Sequence, residues 1–246
     1  MLLKTIITLF LPLSLFAQPD DVAQKIVDKA MKVHGSALLA NAEVDFDFRD
    51  RHYRAVRKGG MFTYERIFTD KDGHKVRDIL SNSGLKREVD GIEAALAQKD
   101  RDAYANSVNA VLYFALLPFS LNDAAVIKTY QGETTIKGEP YHKVKVTFRQ
   151  EGGGKDYEDE YVYWVHKKRL TMDYLAYNFH VDGGGARFRQ AVNVRTIQGI
   201  RFQDYINYQP TDGTMDVAIL DQLFEKGQLK ELSRIETANV VVRLTK

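Results

Sequence analysis

The chain has 246 residues, 35 Lys+Arg against 33 Asp+Glu, 44% apolar residues and no cysteine. This globular composition with a net charge of +2 argues against a disordered tail, an integral membrane protein and a nucleic-acid binder, which usually shows a clear basic excess. Without cysteine there is no disulfide framework, Cys-ligated zinc, iron–sulfur cluster or thiol nucleophile.

Residues 1–17 read as a signal peptide. Lys4 is the positive start, Thr5 to Phe16 is the apolar stretch, and Ala17 is a small residue at the cut. Leu15 departs from the small residue preferred at the third position before cleavage. The stretch is too short to span a bilayer. A bacterial lipoprotein needs a cysteine directly after its signal, and none is present. The expectation is therefore a periplasmic or secreted protein, free of a lipid anchor, starting near Gln18.

Residues 20–34 have helical spacing of Val22, Ile26, Val27, Ala30 and Val33, with Asp20 or Asp21 as cap and Gly35 at the exit. The period then changes to two. Val44, Phe46 and Phe48 alternate with Glu43, Asp45 and Asp47, which predicts a half-buried strand. Strand-like segments follow at 51–58, 61–69, 74–80 and 85–89, punctuated by Gly59-Gly60, Asp72-Gly73 and Ser83-Gly84. Residues 92–117 lack Gly and Pro and predict one or two helices ending before Pro118. The part from Val108 to Leu117 is apolar almost all round, so a helix there needs cover on most sides.

Strands return from 124. His142, Val144, Val146 and Phe148 alternate with Tyr141, Lys143 and Lys145. Tyr157 to His166 and Leu170 to His180 pair across a polar turn, with Gly152–Gly154 and Gly183–Gly185 as neighbouring turns. Phe188, Val192 and Val194 alternate with Arg187, Arg189 and Arg195, which reads as a one-sided strand with a basic face. A strand at 200–208, a helix at 216–226 and a strand in 232–244 complete the chain. About ten or eleven strands at hairpin spacing favour an antiparallel sheet, and one so large must curl or split. The fold class is mainly β (α+β). The architecture is a curved sheet or open half-barrel wrapped around covering helices, in one domain spanning 18–246 with helical lid segments near 20–34, 92–117 and 216–226.

The element order, with Val33-His34-Gly35 closing the first helix, then Val44 to Phe48, Tyr141 to Phe148, Tyr161 to Val165 and Leu170-Thr171-Met172, resembles the periplasmic outer-membrane lipoprotein carrier and sorting (LolA/LolB-like) proteins. The resemblance covers most of the chain after residue 17 as a pattern. It implies an unclosed antiparallel barrel that packs around helices and binds acyl chains in an apolar cavity. It also implies a lipid or acylated protein as partner, with transient contact to a membrane surface. The family's lid-anchoring arginine has no single counterpart among Arg49, Arg51, Arg54 and Arg57.

An apolar ligand cavity between sheet and helix is the leading candidate site. Its expected lining is Phe46, Phe48, Tyr113, Phe114, Leu117, Phe119, Trp164, Tyr177, Phe188 and Phe202. The alternative is that these residues form a solid core in a structural or interaction module. A second alternative is an enzyme with a polar site at the glycine-rich hairpin ends, where His180, Asp182, Asp156, Glu158 and Glu160 lie. None of the six histidines stands in a metal-ligand motif, and no Gly-x-Ser-x-Gly elbow occurs, so no metal, cofactor or catalytic residue is expected. The glycine triplets sit between strands, where they cannot cradle phosphate at a helix start. The basic face of Arg187, Arg189, Arg195 and Arg201 reads as an ordinary solvated sheet face, or as a contact for anionic headgroups.

Overall fold

A computed structural model describes residues 20–152, 157–180 and 183–245. The signal-peptide stretch, Asp156 and Asp182 lie outside the described residues. Fourteen strands form two antiparallel seven-stranded sheets among the described residues. The first sheet runs β14-β1-β2-β3-β4-β5-β6, and the second β13-β12-β11-β10-β9-β8-β7. Its strands are β1 (Asn41–Phe48), β2 (Arg51–Lys58), β3 (Met61–Thr69), β4 (Lys75–Ser81), β5 (Gly84–Val89), β6 (Ile92–Glu93) and β14 (Thr237–Leu244). The second sheet comprises β7 (Val126–Ile136), β8 (Glu139–Phe148), β9 (Tyr161–His166), β10 (Met172–Phe179), β11 (Gly185–Ile197), β12 (Ile200–Pro210) and β13 (Leu229–Ile235). The helices are α1 (Asp21–Val33), α2 (Gln98–Ala115) and α3 (Leu220–Glu225).

The two sheets are halves of an unclosed barrel. Only Glu236 separates β13 at the edge of one sheet from β14 at the edge of the other. This seam is clamped by side chains. Asp204 Oδ1 accepts from the Thr237 backbone N–H at 3.0 Å, and Arg195 reaches Asp204 at 3.1 Å and the Thr237 carbonyl at 2.7 Å.

Register explains which residues face inward. In the first sheet Val242, Val44, Ala55, Tyr64, Leu80 and Leu85 form one row across six strands, all on the inner face under α2. A neighbouring inner row runs Phe46, Tyr53, Arg66, Asp78 and Arg87. Asp78 is fully buried and held by Arg66 Nη2 at 2.6 Å and Arg87 Nε at 2.6 Å. The two arginines also hold α2: Arg66 Nη1 donates to Ser107 Oγ at 2.6 Å, and the Arg87 guanidinium lies 3.5 Å from the Tyr104 ring centre. The outer face carries ion pairs such as Arg54–Glu43 at 2.9 Å and Arg77–Glu65 at 2.8 Å.

The second sheet is covered on both faces. Its inner row Tyr130, Val144, Tyr163 and Leu175 packs in the cluster that holds α1 through Ala23, Ile26, Val27 and Ala30. On its outer face Trp164 and Phe188 pack under Val217, Leu220 and Phe224. The one-sided reading of β11 is thus corrected. Phe188 faces α3, and Arg189 faces the barrel interior instead of water.

Two further differences have local causes. Residues 92–97 are not helical. Asp90 and Gly91 take φ of 50° and 81°, a hairpin-turn geometry that pairs Ile92 back onto Val89, so α2 starts only at Gln98. The strand count reaches fourteen because β7 forms a separate long strand ahead of β8, β6 adds a strand of two residues, and the segment 232–244 is divided by the seam into β13 and β14.

The His-Gly signal is a packing junction. His34 caps α1, and its carbonyl accepts from the Arg201 N–H at 3.0 Å. Its ring Nε2 accepts from the Met172 N–H at 3.0 Å. Gly35 has φ +72°, and a Cβ there would lie 2.1 Å from the Gly199 carbonyl oxygen, so only glycine fits.

Candidate functional site

Helix α2 supplies the key feature. Of its eighteen residues only Val108 and Leu112 are fully buried, both against the first sheet. The adjoining flank, Ala110, Val111, Phe114 and Ala115, borders a cavity of about 310 Å³. The cavity lies beneath α2 at the seam between the two sheets. Its other walls are Phe48 and Arg49 at the β1–β2 turn, Tyr177, Arg189, Gln203, Tyr205, Asn207, Ser233 and Ile235 from β10 to β13, and Thr237 at the start of β14. This volume is at the lower end of the roughly 300–1,000 Å³ usual for small-molecule sites. Each acyl CH₂ buried in such a place contributes about 0.8 kcal/mol.

The polar wall follows from the same register that builds the core. Leu175 pairs with Arg189, Arg189 with Asn207, and Asn207 with Ser233, continuing the inner row of the second sheet up to the seam. Arg189 is only 7% exposed. Its Nη2 donates to the Tyr177 hydroxyl at 2.9 Å, and its guanidinium lies 4.0 Å from the Phe114 ring centre. A desolvated cation over an aromatic face recovers about 2 kcal/mol, well short of what a buried guanidinium loses in hydration. Its Nε has no hydrogen-bond partner, and neither has Asn207 Oδ1. Beside the cavity, tyrosines form a neutral cluster. Tyr113 and Tyr163 share a 3.0 Å hydroxyl hydrogen bond, and burial raises the Tyr113 phenol to about 12 and that of Tyr163 well above its ordinary value.

Of the ten residues expected to line a cavity, Phe48, Phe114 and Tyr177 come together on its wall. Tyr113 packs edge-on against Phe114, with ring centres 5.5 Å apart. Phe46 stacks on Tyr53 within the first sheet's cluster, which Phe202 also joins. Leu117 is buried in the cluster around α1, and Phe119 lies under the Arg57 guanidinium at 4.4 Å. Trp164 and Phe188 sit on the outer face of the second sheet, away from α2. Sequence reasoning missed Gln203, Tyr205, Asn207 and Ile235, and placed Arg189 on a solvated basic face or headgroup contact instead of in a cavity wall. The available signal was in β9, where Tyr161 and Tyr163 on one face and Trp164 on the other mark a sheet covered on both sides.

The basic group of Arg187, Arg189, Arg195 and Arg201 is not one solvated face. Arg189 is buried, Arg195 belongs to the seam, Arg201 reaches Asp173 at 3.3 Å, and Arg187 lies over Phe179 at 4.8 Å. At the glycine-rich hairpin ends His180 Nδ1 is 3.4 Å from Asp159. Among the described residues no group of three His, Asp or Glu side chains is arranged to hold a metal ion. No helix among them is long and apolar enough to cross a membrane.

The architecture is that of the LolA-like open barrels. A LolA superfamily protein from Nitrosomonas europaea superposes with a TM-score of 0.50 at 13% identity, covering 91% of this chain and 97% of that one. An outer membrane lipoprotein-sorting protein domain from Vibrio parahaemolyticus gives 0.46 at 8% identity over 90% and 93% of the two chains. A DUF1329 family protein from Desulfovibrio piger gives 0.41 at 15% identity over 85% and 99%. By sequence the chain belongs to the family of unknown function DUF6503, which matches residues 4–237. No curated protein matches it.

Proposed function

We propose that this protein is an exported, non-catalytic carrier that binds an apolar ligand, a lipid or the acyl chain of a lipoprotein, in the cavity beneath α2. The observation that carries this reading is the flank of α2: an apolar helical surface bordering a half-open cavity of about 310 Å³ that side chains do not fill. The LolA-like fold is consistent with it. Binding is burial of a chain against Val111, Phe114 and Ile235, and release follows when α2 moves off the sheets. Among the described residues α2 is the one α-helix that borders the cavity, so it is the lid, while α1 and α3 are fixed covers. The signal-peptide pattern at 1–17 supports a site of work outside the cytoplasm.

The neutral probe N-phenyl-1-naphthylamine tests this. It should bind and brighten, and Ala115→Trp, which fills the cavity from α2, should weaken it at least about tenfold with the melting temperature unchanged. Unchanged affinity in that variant would remove the cavity as the site.

A further inference from the structure

The cavity has a chemical sign. Arg189 is 93% removed from solvent, and among the described residues no carboxylate lies within ion-pair distance of it. Its Nε is a buried donor with nothing to donate to. The neighbour in register, Asn207, is also part of the cavity wall and has a buried Oδ1 without a partner, while its Nδ2 donates to Ser233 Oγ at 3.2 Å. A second guanidinium, Arg49, stands at the rim over the Phe48 ring at 5.0 Å. No Asp or Glu is part of the wall. Elsewhere in the molecule buried arginines are neutralised: Arg66 and Arg87 share Asp78. An apolar space with an uncompensated buried cation has an obvious complement. That complement is a molecule with an apolar chain and one anionic oxygen headgroup.

We propose that Arg189 receives the anionic headgroup of a single-chain amphiphile whose tail lies along α2, with Nε donating to a headgroup oxygen. This rests on the carrier reading and narrows its ligand to acidic amphiphiles, a carboxylate or a phosphate. The fork of Arg189, held over Phe114 and donating to Tyr177, is already set in place, so little order is lost when the headgroup arrives.

Calorimetric titration of the full delipidated chain with dodecanoate, dodecyl phosphate and dodecanol tests it, each below its micelle concentration. The expected result is that at least one anion binds about tenfold or more tightly than dodecanol. Arg189→Met should abolish that preference, while Arg189→Lys should keep part of it. A preference for dodecanoate would point to a free fatty acid, and one for dodecyl phosphate to a phosphate-bearing lipid. Equal binding of all three by the unaltered protein would overturn the headgroup assignment and leave the carrier reading intact. Equal weakening of all three in Arg189→Met, with its melting temperature retained, would also overturn it, showing that the arginine merely holds α2 to β11. Failure of all three to bind the unaltered protein would overturn the carrier reading together with it.

Discussion

Helices α1 and α2 lie on the same inner side of the barrel, yet they are attached in opposite ways. Helix α1 buries Ala23, Ile26, Val27 and Ala30 to 7% exposure or less and is pinned at both ends. Asp20 caps it through the Val22 and Ala23 N–H groups and also accepts from Tyr130 of β7, and His34 ties its far end to Met172 and Arg201. Helix α2 is five residues longer, begins at Ala97 with no side-chain cap, and rests on the first sheet through two buried apolar side chains and a polar clasp. Its remaining apolar flank meets a cavity. The difference separates a helix that completes a core from one whose apolar surface exceeds what its neighbours cover. Only the second has something to offer a ligand.

The comparison breaks most sharply under the same charge placed in each helix. Val27→Asp puts a carboxylate where no partner can reach it and should cost more than about 4 kcal/mol, enough to abolish cooperative unfolding in urea. Ala110→Asp, on the exposed cavity side of α2, should cost no more than about 1 kcal/mol yet weaken apolar probe binding. Equal destabilisation by the two would contradict the difference in attachment.

Acid sharpens it next. Burial, followed by the nearby Arg201 charge, lowers the His34 imidazole to about 4. The unfolded chain takes up this proton near the ordinary value of about 6.5, so stability is complete above that pH and falls as pH drops towards 4. The loss for this residue is roughly 3 kcal/mol, and His34→Gln should remove that part of the pH dependence measured by urea unfolding at pH 7 and pH 4. Because His34 anchors the end of α1 to β10 and β12, hydrogen exchange at pH 5 should quicken in α1 more than in α2.

The smallest effects concern the helix starts. Asp20→Ala should cost about 1 kcal/mol, and Ala97→Asp should add a few tenths to about 1 kcal/mol by capping a helix that has no side-chain cap. Thermal melts read both. A gain at residue 97 that also slows probe uptake would tie the loose start of α2 to ligand entry.

Much of this was legible along the chain, and the reasons are local. Alternation of Val44, Phe46 and Phe48 with acidic residues set an inner and an outer face for β1, and the structure puts Glu43 and Asp45 in outer ion pairs. The apolar surround of 108–117 marked a helix needing more cover than one sheet provides. The hairpin at Asp90-Gly91 was not legible, since whether such a turn opens a helix or a hairpin depends on whether β5 has a free edge to pair. Arg189 reads in the sequence as part of a solvated basic face or a headgroup contact, and its burial is what the pattern does not show. Periodicity shows that it lies opposite Phe188, but both faces of that sheet are covered, so alternation no longer tells inside from outside.

The sequence by itself determined the strands, their turns, the amphipathic first helix and the unusual helix at α2, because each depends on side chains within a few residues of one another. The tertiary structure alone decided which aromatics meet. Phe48, Phe114 and Tyr177 are brought together from a turn, a helix and a strand, while Trp164 and Phe188 are carried to the opposite face. It also decided that a strand arginine among three others lies dry beneath α2. The physical reason is that burial is set by what covers a face, and the cover for β11 comes from α2 on one side and α3 on the other, helices distant from it in sequence.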